Sequence, residues 1–316
     1  TEEELADIYP GVLNLPVAAD GTRLGWPHIQ SSNSMVYNIT WAKELGFDSP
    51  PTTPEDLKVQ LCAAAEANLT DDNPDNDGGT GMVWAPTTSN FISLLHAYGQ
   101  HTVLNADETG YDFNTPEAKA VAMYVNDLRD AGCTFETESY PNPEQANRLA
   151  LITTSSTSGL KYYGYAYADG AFPDDEWGFL PFPGPDGGSG VDSYTQTIGV
   201  FKSTPEQELA SWLFIKFLTS PENQARWVVA SNYLPTQYSV EAMLTDYLAS
   251  VPQFQSTLGL AALGQGEPDA FPAWYSVRRA LEDAVAQMYA AETPEEIDAI
   301  LAELNITAAE LVAEIE

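Results

Sequence analysis

The chain has 316 residues, about twice the usual domain length, so two domains are the first expectation. Lys and Arg total 12 against 46 Asp and Glu, a formal net charge of −34, while apolar residues make up 44% of the sequence. The apolar share supports a sizeable core and argues against wholesale disorder. The negative surface repels phosphate backbones and anionic headgroups, which excludes nucleic-acid binding and electrostatic membrane docking.

The sequence opens Thr1-Glu2-Glu3-Glu4, with neither a start Met nor a basic-then-apolar leader, and reads as a processed chain or a fragment. The longest apolar candidate, Trp212 to Leu218, is interrupted by Lys216, so no transmembrane helix is expected. With only six lysines, the acidic surface reads as tuned for high salt. A melting temperature unchanged by added salt counts against that.

One helix-start signature recurs: Thr53-Pro54-Glu55, Thr115-Pro116-Glu117, Thr204-Pro205-Glu206, Ser220-Pro221-Glu222 and Thr293-Pro294-Glu295. The hydroxyl accepts from an orphan N–H, Pro at the first helical position has no N–H to satisfy, and Glu complements the helix dipole. Asn142-Pro143-Glu144 is a sixth copy. After Thr115, Ala118, Val121, Ala122, Val125 and Leu128 share one helical face, with Gly132 as the stop. After Thr204, Leu209, Trp212, Leu213 and Phe217 do the same, and residues 275–290 and 294–304 complete the strongest helices. Strand-like stretches lie between them: Met35 to Tyr37, Met82 to Trp84, Leu149 to Thr153, Trp177 to Leu180 and Ile198 to Phe201. The alternation predicts an α/β protein with mainly buried sheets. Residues 70–81 and the Gly/Pro-rich residues 181–190 read as turns, the second as the approach to an interdomain crossing.

Cys62 and Cys133 fit either one disulfide in an oxidising compartment or two separate buried thiols; the bridge is our expectation. Asn73, Asp75, Asp77 and Gly78 match half of a calcium loop, but Trp84 stands where the bidentate Glu belongs, so a solvated acidic loop is expected. Tyr162, Tyr163, Tyr165 and Tyr167 could offer oxygens to a ferric ion, yet His28, His96 and His101 show no ligand spacing. Neither metal nor cofactor is expected. There is no GxSxG elbow, and among 46 carboxylates a catalytic pair can be nominated anywhere, so no enzyme signal emerges.

Aromatics (7 Trp, 16 Tyr, 12 Phe) stand beside neutral hydrogen-bonding runs: Gln30-Ser31-Ser32-Asn33-Ser34, Thr87-Thr88-Ser89-Asn90 and Thr153 to Ser158. Sugars call for this pairing, an aromatic face for the C–H side of the ring and amides or hydroxyls for its OH groups. Strand-to-helix turns and core aromatics give the same composition.

Several segments, in order, resemble the extracytoplasmic solute-binding proteins of ABC importers, in the sugar-binding group that includes maltose-binding protein. They are Asp20-Gly21-Thr22-Arg23-Leu24-Gly25-Trp26-Pro27, Met35-Val36-Tyr37-Asn38, Glu44-Leu45-Gly46, Trp177 to Gly188, Phe214 to Glu222 with Tyr233-Leu234-Pro235, and Pro272-Ala273-Trp274-Tyr275-Ser276-Val277-Arg278. The resemblance implies two α/β lobes joined by crossing strands, closing by hinge bending over a ligand in the cleft. It implies residues 1–29 and 197–238 in the first lobe and 30–196 and 239–316 in the second. It also implies that Gln30, Ser31, Ser89, Ser155, Ser156, Thr157, Tyr194, Trp274 and Tyr275 face one cleft, with Trp274 stacking on the sugar. Arg278 is expected to brace acidic neighbours rather than touch ligand. Family members carry roughly a hundred residues before the Asp-Gly stretch, against about twenty here, so the first lobe is expected to be incomplete, with apolar surface uncovered.

The expected role is carbohydrate binding outside the cytoplasm, in the periplasm or on a lipid anchor, by a monomer that delivers ligand to a membrane permease without catalysis. A secreted carbohydrate-active enzyme and a sensor module reporting to a membrane receptor are the alternatives. Sugar turnover would mark the first and a non-transport gene neighbourhood the second.

Overall fold

A computed structural model describes residues 1–14, 17, 21–137, 139–269 and 271–315. Asp20, which heads the Asp-Gly-Thr-Arg stretch, lies outside the described residues.

The recurrent helix starts are true caps. Thr53, Thr115, Thr204, Ser220 and Thr293 accept from the backbone N–H of Asp56, Ala118, Gln207, Asn223 and Glu296, and each is followed by Pro in the first turn. Each such bond is worth about 1 kcal/mol. The sixth copy differs: Asn142 is already the first residue of helix Asn142–Ala146, Pro141 holds the cap position, and no side chain caps it. Helix Pro116–Asp130 buries Ala118, Val121, Ala122, Val125 and Leu128 as its periodicity predicts, and Gly132 follows at φ +70°, a left-handed stop that glycine takes without strain.

The strands are β1 (Trp26–Asn38), β2 (Met82–Val83), β3 (Thr134–Phe135), β4 (Ile152–Ser156), β5 (Trp177–Leu180), β6 (Phe182–Pro183), β7 (Ser189–Gly190), β8 (Asp192–Ile198) and β9 (Gln265–Gly266). β1 organises them. Its first half pairs antiparallel with β8, and its second half pairs antiparallel with β4 and β5. β2 runs parallel to β3 and β4, and β9 runs parallel to β8. Successive β1 side chains enter opposite cores. Met35 and Tyr37 join one with helices Pro54–Thr70, Thr88–Ala97, Pro116–Asp130, Trp274–Ala290 and Pro294–Ala313; Val36 joins the other with helices Leu160–Asp169 and Pro252–Leu263. The sheet thus lies between helical layers, a mixed α/β architecture as predicted.

Two strand readings shift. Residues 149–153 overlap β4 only at its start, and 198–201 touch β8 only at its end. β8 is built from the polar run Asp192 to Thr197, held by its ladder with β1 rather than announced by apolar residues. The 181–190 stretch folds as the β6–β7 ladder against the end of helix Thr88–Ala97, where a Cβ on Gly184 or Gly190 would overlap the Ala97 backbone. The tyrosines do not converge: on helix Leu160–Asp169, Tyr163 and Tyr167 are buried while Tyr162 and Tyr165 are exposed.

Residues 1–14 dock on the segment after Tyr233. The Tyr9 N–H donates to the Thr236 carbonyl, the Tyr238 N–H donates to that of Asp7, and Ile8 and Tyr9 enter the second core beside Leu234 and Val240. Helix Pro205–Leu218 departs from its expected role as a packed face. It forms, but Leu209, Trp212, Leu213, Phe214 and Phe217 are exposed and it buries only Ile215. This exposed apolar surface is continued by Phe201 and Trp227.

Candidate functional site

A cleft of about 530 Å³ opens where β1, β4 and β8 meet the first turn of helix Thr88–Ala97, helix Trp274–Ala290 and the loop at residues 139–141. Its walls are mostly amides and hydroxyls. Asn33 on β1 donates to Asn90 Oδ1 at 2.8 Å and to Ser93 Oγ at 3.1 Å. Asn90 in turn donates to the Ala85 carbonyl at 2.8 Å and to Thr154 Oγ1 on β4 at 3.1 Å. Thr87 caps the helix by accepting from the Asn90 N–H, which fixes this network relative to the sheet. Opposite, Tyr194 of β8 reaches the lining, its phenol kept neutral by burial.

The charged groups in the walls are held in place. Arg278 grips Glu267 through Nε (2.7 and 3.0 Å) and donates from Nη2 to Ser89 Oγ at 3.0 Å. It therefore braces an acidic neighbour, as the sequence suggested, and also lines the cleft. Glu282, one helical turn further on, accepts from the Thr88 N–H at 2.7 Å. At the rim stands Tyr140, 88% exposed. Such a surface can hydrogen-bond an uncharged polar molecule and offer it one aromatic face.

Residues 2–256 match the family model described as bacterial extracellular solute-binding protein. The chain belongs to that family. No characterised protein matches it by sequence. Among solved structures, the solute-binding protein is similar to the cyclic α-maltosyl-1,6-maltose binding protein from Arthrobacter globiformis, with TM-score 0.81, 21% identity, and coverage of 99% of this chain and 78% of that one. It is similar to the sugar-binding protein MalE from Xanthomonas citri, with TM-score 0.80, 20% identity, and coverage of 98% and 75%. UgpB from Mycobacterium tuberculosis, solved with glycerophosphocholine, matches with TM-score 0.75, 17% identity, and coverage of 98% and 76%. These likenesses establish the fold that the motifs suggested.

Within this solute-binding protein the residues singled out from sequence divide. Ser89 and Tyr194 line the cleft. Ser31 pairs with Tyr194 and Ser156 pairs with Asn33, which puts both on the cleft-facing side of their strands. The others are placed elsewhere. Gln30 is fully buried and donates to the Pro235 carbonyl at 2.9 Å. Ser155 lies on the other face of β4, and Thr157 accepts from the Ser32 N–H at 3.1 Å as a buried strut. Trp274 is 4% exposed: its ring stacks on Tyr111, centroids 5.6 Å apart, and its Nε1–H donates to Glu267 at 2.9 Å. The face a sugar would need is covered. Tyr275 is 72% exposed, outside the lining, and its hydroxyl accepts from Arg279. Gln30, Ser155 and Trp274 therefore point into three separate surroundings rather than one site.

Asn33, Asn90 and Thr154 were missed, although each sits inside a polar run already noted. Arg278 and Glu282 carry a readable signal, since Trp274, Arg278 and Glu282 are spaced four apart on one helical face. Tyr140 carries none. The structure pairs Cys62 with Cys133, Cα atoms 4.8 Å apart and outside the cleft lining, joining helix Pro54–Thr70 to the residue before β3.

Proposed function

We propose that the protein binds an uncharged carbohydrate in this cleft, outside the cytoplasm, and delivers it unchanged to the permease of an ABC importer. The observation that carries this is the lining: the Asn33–Asn90–Thr154 network faces Tyr194 beneath an exposed Tyr140 ring, with both wall charges already engaged. The sugar-binding proteins from Arthrobacter and Xanthomonas, which share the fold, support the ligand class. Release without chemistry is supported by the wall: Ser89 is engaged by Arg278, and among the described lining residues there is no histidine and one carboxylate, Glu282. We read residues 1–29 with 197–238, and 30–196 with 239–316, as the two lobes of a monomer held in the periplasm or at the cell surface. The docking of residues 7–9 on residues 236–239 supports the first grouping. Ligand that touches both lobes favours the closed state the permease accepts.

A thermal-shift screen with mono- and oligosaccharides tests this. A saccharide at about a hundred times its Kd should add about 2.7 kcal/mol of stability. Tyr140→Ala should weaken that saccharide's binding about ten-fold, the contribution of a stacked ring, and leave the ligand-free melting temperature in place because the side chain is exposed. An unresponsive screen sinks the reading, and release of cleaved sugar by the purified protein replaces it with an enzyme.

A further inference from the structure

Beneath the cleft wall lies a buried acidic pair that ligand contact does not explain. Asp192, at the head of β8, is 0% exposed; neither carboxyl oxygen makes a hydrogen bond of good geometry, and the side chains within reach of it are those of Glu267 and Ser89. The β8–β9 ladder sets Asp192 opposite Gln265, which brings Glu267, 7% exposed, into its neighbourhood. Glu267 is occupied by the Arg278 Nε–H and the Trp274 Nε1–H. The other titratable groups packed around the pair are Tyr194 on β8, Asp269 after β9 and His96, whose Nδ1 meets the Val191 carbonyl at 3.2 Å. Burial holds His96 down to about 4, so it is neutral there and supplies no counter-charge. Two buried carboxyl groups thus face one guanidinium, whose other side is open to the cleft.

We propose that Asp192 and Glu267 hold one proton between them, carried on Asp192, and that the carboxylate left on Glu267 is the positioning residue for Arg278 at the cleft wall. Two charges there would compete for the single cation. When rising pH sends the Asp192 proton to solvent, the guanidinium is drawn inward from Ser89 and the wall of the cleft changes shape. Burial, then the charge of Glu267, raises the proton affinity of Asp192 well above the ordinary carboxyl value of 3.8. The folded state therefore keeps a proton that the unfolded chain releases, and this group's contribution to stability falls as pH rises above that ordinary value, until the folded group itself ionises.

The inference rests on the carbohydrate reading for its functional meaning, but its first tests need no ligand. Melting temperatures of ligand-free wild type and Asp192→Asn are compared from about pH 5 to about pH 9, where the neutral isostere should abolish this proton's share of the decline. Parallel profiles remove the shared proton. In nitrogen-15 spectra, the Arg278 Nε–H signal, assigned by its loss in Arg278→Lys, should stay protected in Asp192→Asn and be lost in Glu267→Gln. Its survival in Glu267→Gln removes the positioning role. For the saccharide that gives the largest thermal shift, Glu267→Gln should raise Kd about ten-fold, and an unchanged Kd counts against the proposal. If no saccharide shifts the wild type, the carbohydrate reading fails while the pH and spectral outcomes still judge this one.

Discussion

Replacing Cys62 and Cys133 together by serine is expected to lower folding stability by about 4 kcal/mol, the loop-closure entropy of a bridge spanning 71 residues. The covalent tie joins helix Pro54–Thr70 to the residue before β3, so without it the loop containing helices Thr88–Ala97 and Pro116–Asp130 is freed in the unfolded chain. The melting temperature should drop on the order of 10 °C, and wild type under reducing conditions should show the same drop. A reduced wild type that melts with the oxidised one would mean that packing alone closes the loop. The bridge lies outside the cleft lining, so the double variant should bind ligand as wild type does at temperatures where it is folded.

The second large effect is acid sensitivity through His96. The ring is buried on helix Thr88–Ala97 against Val191, and burial lowers its value from 6.5 to about 4. The unfolded chain takes up a proton below about pH 6.5 that the folded protein refuses until about pH 4. His96 thus contributes stability that is fully present above the higher value and is lost as pH falls across that window, on the order of 3 kcal/mol in all. His96→Gln keeps a neutral polar group near the Val191 carbonyl and should flatten the acid limb of the stability profile. An acid limb equally steep in both proteins would assign the loss to carboxylates instead. Asp192 acts in the opposite direction and its window begins at the ordinary carboxyl value, so the two contributions oppose one another across the pH range in which His96 titrates.

The fold was legible because local chemistry and tertiary structure agree at the helix starts: a hydroxyl, a proline and a glutamate at Thr53, Thr115, Thr204, Ser220 and Thr293 each specify one outcome. The site was legible as segments and much less so as residues. All three polar runs reach the cleft, yet along β1 the choice between Gln30 and Asn33, and along β4 between Ser155 and Thr154, is a question of phase. A strand covered on one side reveals its phase through alternation, but Met35, Val36 and Tyr37 are all apolar because β1 is covered on both. Trp274 was misplaced for another reason. Its surroundings are Tyr111, far earlier in the chain, and Glu267, and only the assembled core shows that an indole with both partners satisfied has nothing left to offer a ligand.

The bare aromatic side of helix Pro205–Leu218 sets how this polyanion behaves among its own copies. At low ionic strength, mutual repulsion from 34 surplus negative charges keeps those sides apart. Near 0.15 M salt the field decays within about 8 Å, short enough for Trp212, Phe214 and Phe217 of neighbouring molecules to meet. Light scattering should consequently climb with added salt, and Phe214→Gln with Phe217→Gln should hold it flat. The same ions that relieve the crowding of charge within each molecule would thus bring on its clustering.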